Sequence, residues 1–172
     1  MLFTLFNSSN VFLLLKAKQS GLNDSKVIAV YIFYNLVYAL FAFPIGMLGD
    51  KLGLKKVFRV GLFLFAVVYF GMAYTSNLYL FCVIFFLYGL YAAATEGTSK
   101  AWISNITEKK DTATAIGTFS GFQSIAAMLA SSVAGIIWYQ FGAGVTFVLS
   151  AIAALVALMH IGTIPFKRDN VS

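Results

Sequence analysis

Apolar positions in this chain come in long continuous runs, and polar ones gather in short clusters between them. The first run, 2–15, is short and interrupted by Asn7-Ser8-Ser9-Asn10; a polar stretch from Lys16 to Lys26 follows it. The second covers 27–48, with Pro44 near its end, and the third covers 57–74 and stops at Thr75-Ser76-Asn77. The fourth covers 78–98, apolar to Ala94, with Glu96 and Lys100 close behind. The fifth covers 113–138, after which Gln140-Phe141-Gly142 turns the chain, and the sixth covers 145–164 and ends at Pro165. A helix needs about 20 apolar residues at 1.5 Å each to cross about 30 Å of hydrocarbon. The pattern therefore predicts an all-α polytopic membrane protein, one bundle over 1–172 with six spans. A membrane β-barrel would instead alternate over segments of about ten residues.

The cluster between the second and third runs stands out: Gly46-Met47-Leu48-Gly49-Asp50-Lys51-Leu52-Gly53-Leu54-Lys55-Lys56-Val57. A lysine at the bilayer centre costs about 2.5–3.5 kcal/mol on insertion scales, so this stretch is expected outside the hydrocarbon as a short loop. Its three glycines allow a sharp turn and a close approach of helix ends.

Composition agrees with a membrane protein. The chain is 60% hydrophobic and 10% charged, against about 25% charge in soluble domains. The net charge of +6 would suit nucleic acid, but the lysines are spread over the connections, where they act as topology signals, so no nucleic-acid partner is expected. One side collects Lys51, Lys55, Lys56, Arg59, Lys100, Lys109, Lys110, Lys167 and Arg168; the other holds Lys16, Lys18 and Lys26. The heavier side is predicted cytoplasmic, with both termini there. Cys82 is alone inside an apolar run, which leaves neither a disulfide framework nor metal-ligand spacing. No basic region precedes the first run, so no cleavable signal peptide is predicted. Met1 sits directly on an apolar segment, which suggests a piece of something longer.

Polar groups at membrane depth are costly unless they have a partner or a task. Tyr31, Tyr34, Asn35 and Tyr38 are spaced i, i+3, i+4, i+7 and share one helix face. Without partners in lipid, that face is expected to point into protein or a cavity. Asn7, Ser8 and Asn10, with Tyr88, Tyr91, Gln123 and Ser124, would complete a polar, aromatic-rich central cavity; ordinary interhelical hydrogen bonding is the alternative. Glu96 is the acid expected at membrane depth, and Lys100 one turn on stands in the favourable order for an ion pair; a gating or proton-linked carboxylate is its other reading. Gly117, Gly121, Ala127, Ser131 and Gly135 form a small-residue packing face. His160 has no acid or cysteine near it in sequence. No nucleophile–base arrangement, phosphate loop or paired carboxylate is found, so neither an enzyme nor a cofactor or metal is expected.

Gly46-x-Leu48-Gly49-Asp50-Lys51-x-Gly53-x-Lys55-Lys56 resembles the cytoplasmic loop motif of the major facilitator superfamily, Gly-x-Leu-(Ala/Gly)-Asp-(Arg/Lys)-x-Gly-(Arg/Lys)-(Arg/Lys). That motif lies between the second and third helices of each six-helix half. Tyr88-Gly89-Leu90-Tyr91-Ala92-Ala93-Ala94-Thr95-Glu96-Gly97-x-x-Lys100-Ala101 and Ile116-Gly117 to Trp138 resemble the tenth and eleventh helices of bacterial members. Asn7 to Asn10 with Phe12 to Leu15 resembles their seventh. The resemblance implies helices seven to twelve, the C-terminal half of a secondary carrier in the bacterial inner (plasma) membrane. It further implies alternating access around a midplane site, a small-molecule substrate, the lipid bilayer as surroundings and an N-terminal six-helix half as partner. Asp50 would help clasp the cytoplasmic helix ends, with Arg59, Glu96 and Lys100 as companion gate pairs. The chain departs from the pattern at Leu54, where a basic residue is common, and at 108–113, which replaces a usual Pro-x-x-x-Arg-Gly. Asn10 stands where relatives often carry an aspartate, which bears on proton coupling. The rival expectation is a truncated or remnant half without transport activity, serving at most as an assembly partner.

Overall fold

The computed structural model describes residues 10–75 and 77–163, and those residues are helical nearly throughout. In chain order they form α1 (Val11–Gln19), α2 (Asp24–Leu52), α3 (Leu54–Tyr74), α4 (Leu78–Ile106) and α5 (Thr112–Thr163). Four of these, all but α1, are long and apolar enough to cross a membrane. The expected first span has only the nine-residue α1 as its described part, about 14 Å of helix; residues 1–9 lie outside the described residues.

Helix starts follow capping chemistry. The Asn23 side chain accepts the Lys26 N–H at 3.0 Å and opens α2; Asn77 accepts the Tyr79 N–H at 2.9 Å and opens α4. Each satisfies a donor that the first helical turn leaves without a partner.

The expected twelve-residue loop at 46–57 is corrected by the structure. α2 continues to Leu52 and α3 begins at Leu54, so Gly53 alone is the connection. Its φ of 93° lies in the region that favours glycine, and its carbonyl already accepts the Lys56 N–H at 3.0 Å. α2 outruns the bilayer: its 29 residues make about 44 Å against about 30 Å of hydrocarbon. Charged residues can therefore sit on helix ends beyond the apolar slab, and no long loop is required.

α5 is a single helical run of 52 residues in which Gly142 alone is non-helical, with φ 86° and ψ 170°. Drawn straight it would be about 78 Å long. The Trp138 and Phe147 rings are 5.5 Å apart, although nine residues of straight helix would separate them by about 13–14 Å. Ile161 from one end and Phe119 from the other line the same cavity. The arms 112–141 and 143–163 therefore fold back on each other at the turn expected near Gly142.

Lipid gives packed helices little hydrophobic drive, so close packing and small residues decide where they meet. A Cβ on Gly61 would lie 2.7 Å from Thr95, and one on Gly89 would lie 2.7 Å from Val37 and 3.1 Å from the Tyr34 carbonyl. These glycines bring α3 onto α4 and α4 onto α2. The predicted packing face on the first arm of α5 is not used in this way. Gly117 and Gly121 face open space, and the buried small residues are Ala130 and Ala134, one position away from Ser131 and Gly135.

Aromatic rings tie the elements into a girdle. Tyr34 of α2 meets Tyr88 at 5.1 Å, Tyr88 meets Tyr91 at 5.3 Å, and Tyr91 meets Phe65 of α3 at 5.0 Å. Phe65 stacks on Tyr69 at 3.9 Å, and Tyr69 meets Phe147 at 5.5 Å. Beyond the Phe147–Trp138 contact, Trp138 meets Phe12 of α1 at 5.6 Å. Phe12 is two residues from Asn10, which returns the series to Tyr34.

Candidate functional site

A cavity of about 560 Å³ opens between Asn10 at the start of α1, α2, the first turns of α3, α4 and both arms of α5. Small-molecule sites commonly have this size. α4 supplies its longest wall, from Tyr88 to Ile106, about 27 Å along the helix. Tyr88, Tyr91, Ala92, Thr95, Glu96, Ser99, Ile103 and Ile106 recur three or four apart, as one helix face requires.

At the inner end Asn10 joins three helices. Its amide N–H donates to the Tyr34 hydroxyl at 3.3 Å, and its amide oxygen accepts the Tyr88 hydroxyl. Both tyrosines are buried, at 6% and 2% exposure, so the bridge satisfies hydroxyls that would otherwise lack partners away from water. Because Asn10 donates to Tyr34, the Tyr34 hydroxyl keeps its own proton for an acceptor in the cavity.

Along the wall, Thr95 donates to the Tyr91 carbonyl at 2.9 Å and Ser99 to the Thr95 carbonyl at 2.7 Å. Across the cavity, Ser124 donates to the Ser120 carbonyl at 2.9 Å. With their protons spent inside the helices, these hydroxyls offer lone pairs to whatever enters. Gln123 adds an amide to the same side. At the other end the lining turns apolar, with Phe58, Trp102, Ile103, Ile106, Phe119 and Ile161.

Of the residues expected to line a cavity, Asn10, Tyr34, Tyr88, Tyr91 and Gln123 do so. Asn7 lies outside the described residues. Asn35 is not in the lining; its amide donates to the Tyr31 carbonyl one turn back at 2.8 Å. Tyr38 is not in the lining either, but its hydroxyl donates to Glu96 Oε2 at 3.2 Å. The shared face of Tyr31, Tyr34, Asn35 and Tyr38 is wider than the contact with α4, so only its centre is buried.

Glu96 and Lys100 both face the cavity. The expected gate ion pairs are not formed: among the described residues, Glu96 lies within 4 Å of neither Lys100 nor Arg59, and its partner is Tyr38. In the motif, Asp50, Lys51 and Lys56 are exposed, Lys55 is half-buried and Gly49 is buried. Gly46 faces open space, whereas a Cβ on Gly49 would meet Leu54 at 3.1 Å. Among the described residues no three His, Cys, Asp or Glu side chains gather in a way that would hold a metal ion. Sequence reasoning missed Phe58, Trp102, Phe119, Thr95, Ser99 and Ser120. The i, i+3, i+4 spacing of Thr95, Ser99 and Trp102 with Tyr88 and Tyr91 is the signal that would have found those on α4.

The family model described as Major Facilitator Superfamily matches residues 1–171. An MFS-type transporter of Methanocaldococcus jannaschii is 33% identical over 162 residues, 91% of this chain and 40% of that transporter. An MFS-type transporter of Bacillus subtilis is 40% identical over 65 residues, 38% of this chain and 16% of its own length. A transporter of Buchnera aphidicola is 24% identical over 139 residues, 80% of this chain and 35% of its own. The chain thus spans less than half the length of each of these relatives.

Proposed function

This chain belongs to the major facilitator superfamily, and on that premise we propose that it forms part of a pathway carrying a small solute across a lipid bilayer. The reading places it as the C-terminal six-helix half, helices seven to twelve, of a secondary active carrier in a bacterial inner membrane. The sixth crossing comes from counting the two arms of α5 separately and adding the run that ends in α1. The observation that carries the proposal is the Asn10–Tyr34–Tyr88 bridge in the wall of a cavity among apolar helices. Hydrogen-bonding groups gathered at that depth suit a solute stripped of water midway across the membrane.

In this reading the cavity is half of a central site, an N-terminal six-helix half supplies the rest, and the two alternate access by rocking. The lysine-rich ends of α2, α3 and α4 lie in the cytoplasm by the positive-inside rule, with both termini. Asp50, at the one-residue connection between α2 and α3, belongs to a clasp on the cytoplasmic ends. Gly46, Gly49, Lys51, Gly53, Lys55 and Lys56 shape it; Asp50 would engage the end of α4 around Lys100, and Glu96 with Arg59 would form the companion pair when the cavity closes on that side.

The test is radiolabelled uptake and drug-resistance profiling of cells carrying the intact gene, with and without a proton gradient. A transported solute whose uptake falls in Asp50→Asn at unchanged membrane expression supports both the pathway and the clasp. Unchanged uptake in that variant rejects the clasp. Absence of any transport across the panel rejects the pathway in favour of a remnant half.

A further inference from the structure

α4 carries two opposite charges one turn apart, Glu96 and Lys100, that line the same cavity and are not joined within 4 Å. Their order is the favourable one for an i,i+4 pair. The ion pairs that do form among the described residues lie at the connections, Lys18 with Asp24 at 2.7 Å and Lys110 with Glu108 at 3.0 Å. What holds Glu96 is a neutral group, the Tyr38 hydroxyl, which donates to Oε2 and leaves Oε1 without a hydrogen bond from Tyr38. An acid and a base on one cavity wall, each without an ion-pair partner among the described residues, mark a site for something that brings both charges.

We propose that Glu96 and Lys100 together receive a zwitterion of the neutral amino-acid class. Its ammonium sits on the Glu96 carboxylate, and its carboxylate sits on the Lys100 ammonium. The inference rests on reading this cavity as the transport site and names the solute class it takes. A lipophilic cation would satisfy Glu96 but meet Lys100 at like charge, and an anion would do the reverse, each juxtaposition being unfavourable. A molecule neutral overall with separated charges meets both groups with the right sign. Trp102, Ile103 and Phe119 lie beyond the charged pair toward the lysine-rich end, so the apolar side chain of the zwitterion lies there.

The experiment measures binding to the purified full-length protein of three probes that differ only in charge: L-phenylalanine, phenethylamine and 3-phenylpropionate. The expected result is phenylalanine binding at least about tenfold tighter than either analogue. Glu96→Gln then abolishes the preference over 3-phenylpropionate and keeps the preference over phenethylamine, and Lys100→Gln does the opposite. The ranking on the unmodified protein stands as a test even where a variant fails to fold. Tightest binding of phenethylamine, insensitive to Lys100→Gln, overturns the proposal in favour of a cation site. Equal binding of the three probes, or none, also overturns it. Uptake of labelled phenylalanine into proteoliposomes separates this inference from its premise. Selective binding without uptake removes the transport reading and leaves the zwitterion site, whereas uptake of other solutes with no selectivity for phenylalanine removes the zwitterion site and leaves transport.

Discussion

α4 and the first arm of α5 are both apolar helices with glycine and alanine at short spacing, yet they are used in opposite ways. α4 is drawn onto α2 and α3 at Gly89 and Gly61, where an added Cβ would collide with its neighbour. The first arm of α5 carries Gly117 and Gly121 with nothing within 4 Å, and Ala130 and Ala134 are its buried residues. The cavity lies between these two kinds of surface. One wall is anchored in the packed slab of α2, α3 and α4; the other is held at its far end by Phe12, Trp138 and Phe147. Small residues thus permit close packing without compelling it, and the partner's shape decides which of them are used.

The contrast breaks most sharply at Phe65. It is fully buried and stacked on Tyr69, so Phe65→Ala should cost about 3–5 kcal/mol. Phe122, 56% exposed on the first arm, should tolerate the same truncation with little change. Thermal unfolding of the two variants in detergent compares them directly, and equal losses would contradict the division into packed and open walls.

Glycine substitution is the next test. Gly89→Ala forces Val37 and the α2 backbone aside and should destabilise by about 1–3 kcal/mol. Gly117→Ala meets empty space in a helix, where alanine outperforms glycine by about 0.5–1 kcal/mol, so it should raise the melting temperature. Opposite signs are the expectation, and a loss in both variants would mean that the first arm is packed after all.

Sequence pattern carried the helices well, because a continuous apolar run of this length has few other ways to bury its backbone polar groups. The turn at Gly142 and the cavity residues Asn10, Tyr34, Tyr88, Tyr91 and Gln123 were legible for the same reason. What escaped was anything set by the partner's surface. Gly61 and Gly89 read like Gly117 and Gly121 until the opposing helix is known. Phe65, Phe147 and Trp138 look like ordinary lipid-facing residues although they join four helical elements. The connection at 46–57 reads as longer than it is because a cluster of charge implies an excursion from the membrane, and α2, which overshoots the bilayer, supplies much of that excursion itself.

Smaller effects refine the picture at the inner end of the cavity. Tyr88→Phe removes the donor to Asn10 and should cost about 0.6–1.7 kcal/mol, the range for interhelical hydrogen bonds. The same loss in an Asn10→Leu background should be smaller, and additive losses would show that the two groups do not share a bond. Smallest of all should be Lys18→Ala. Its pair with Asp24 is more than half exposed on both sides, so a change within about 1 kcal/mol is expected. A larger one in the melting curve would mean that the pair contributes more than an exposed ion pair does.

The aromatic girdle has an optical consequence. The chain has two tryptophans, and they fall in different places: Trp138 between Phe12 and Phe147 in the girdle, and Trp102 in the cavity wall beside Phe58. Emission from Trp138 reports whether the two arms of α5 are folded together, and emission from Trp102 reports what enters the cavity. With Trp138→Phe the protein keeps a single tryptophan, inside its own candidate site, which red-edge excitation addresses apart from the nine tyrosines. Solute entry is then readable as a change in colour and intensity, with no label added.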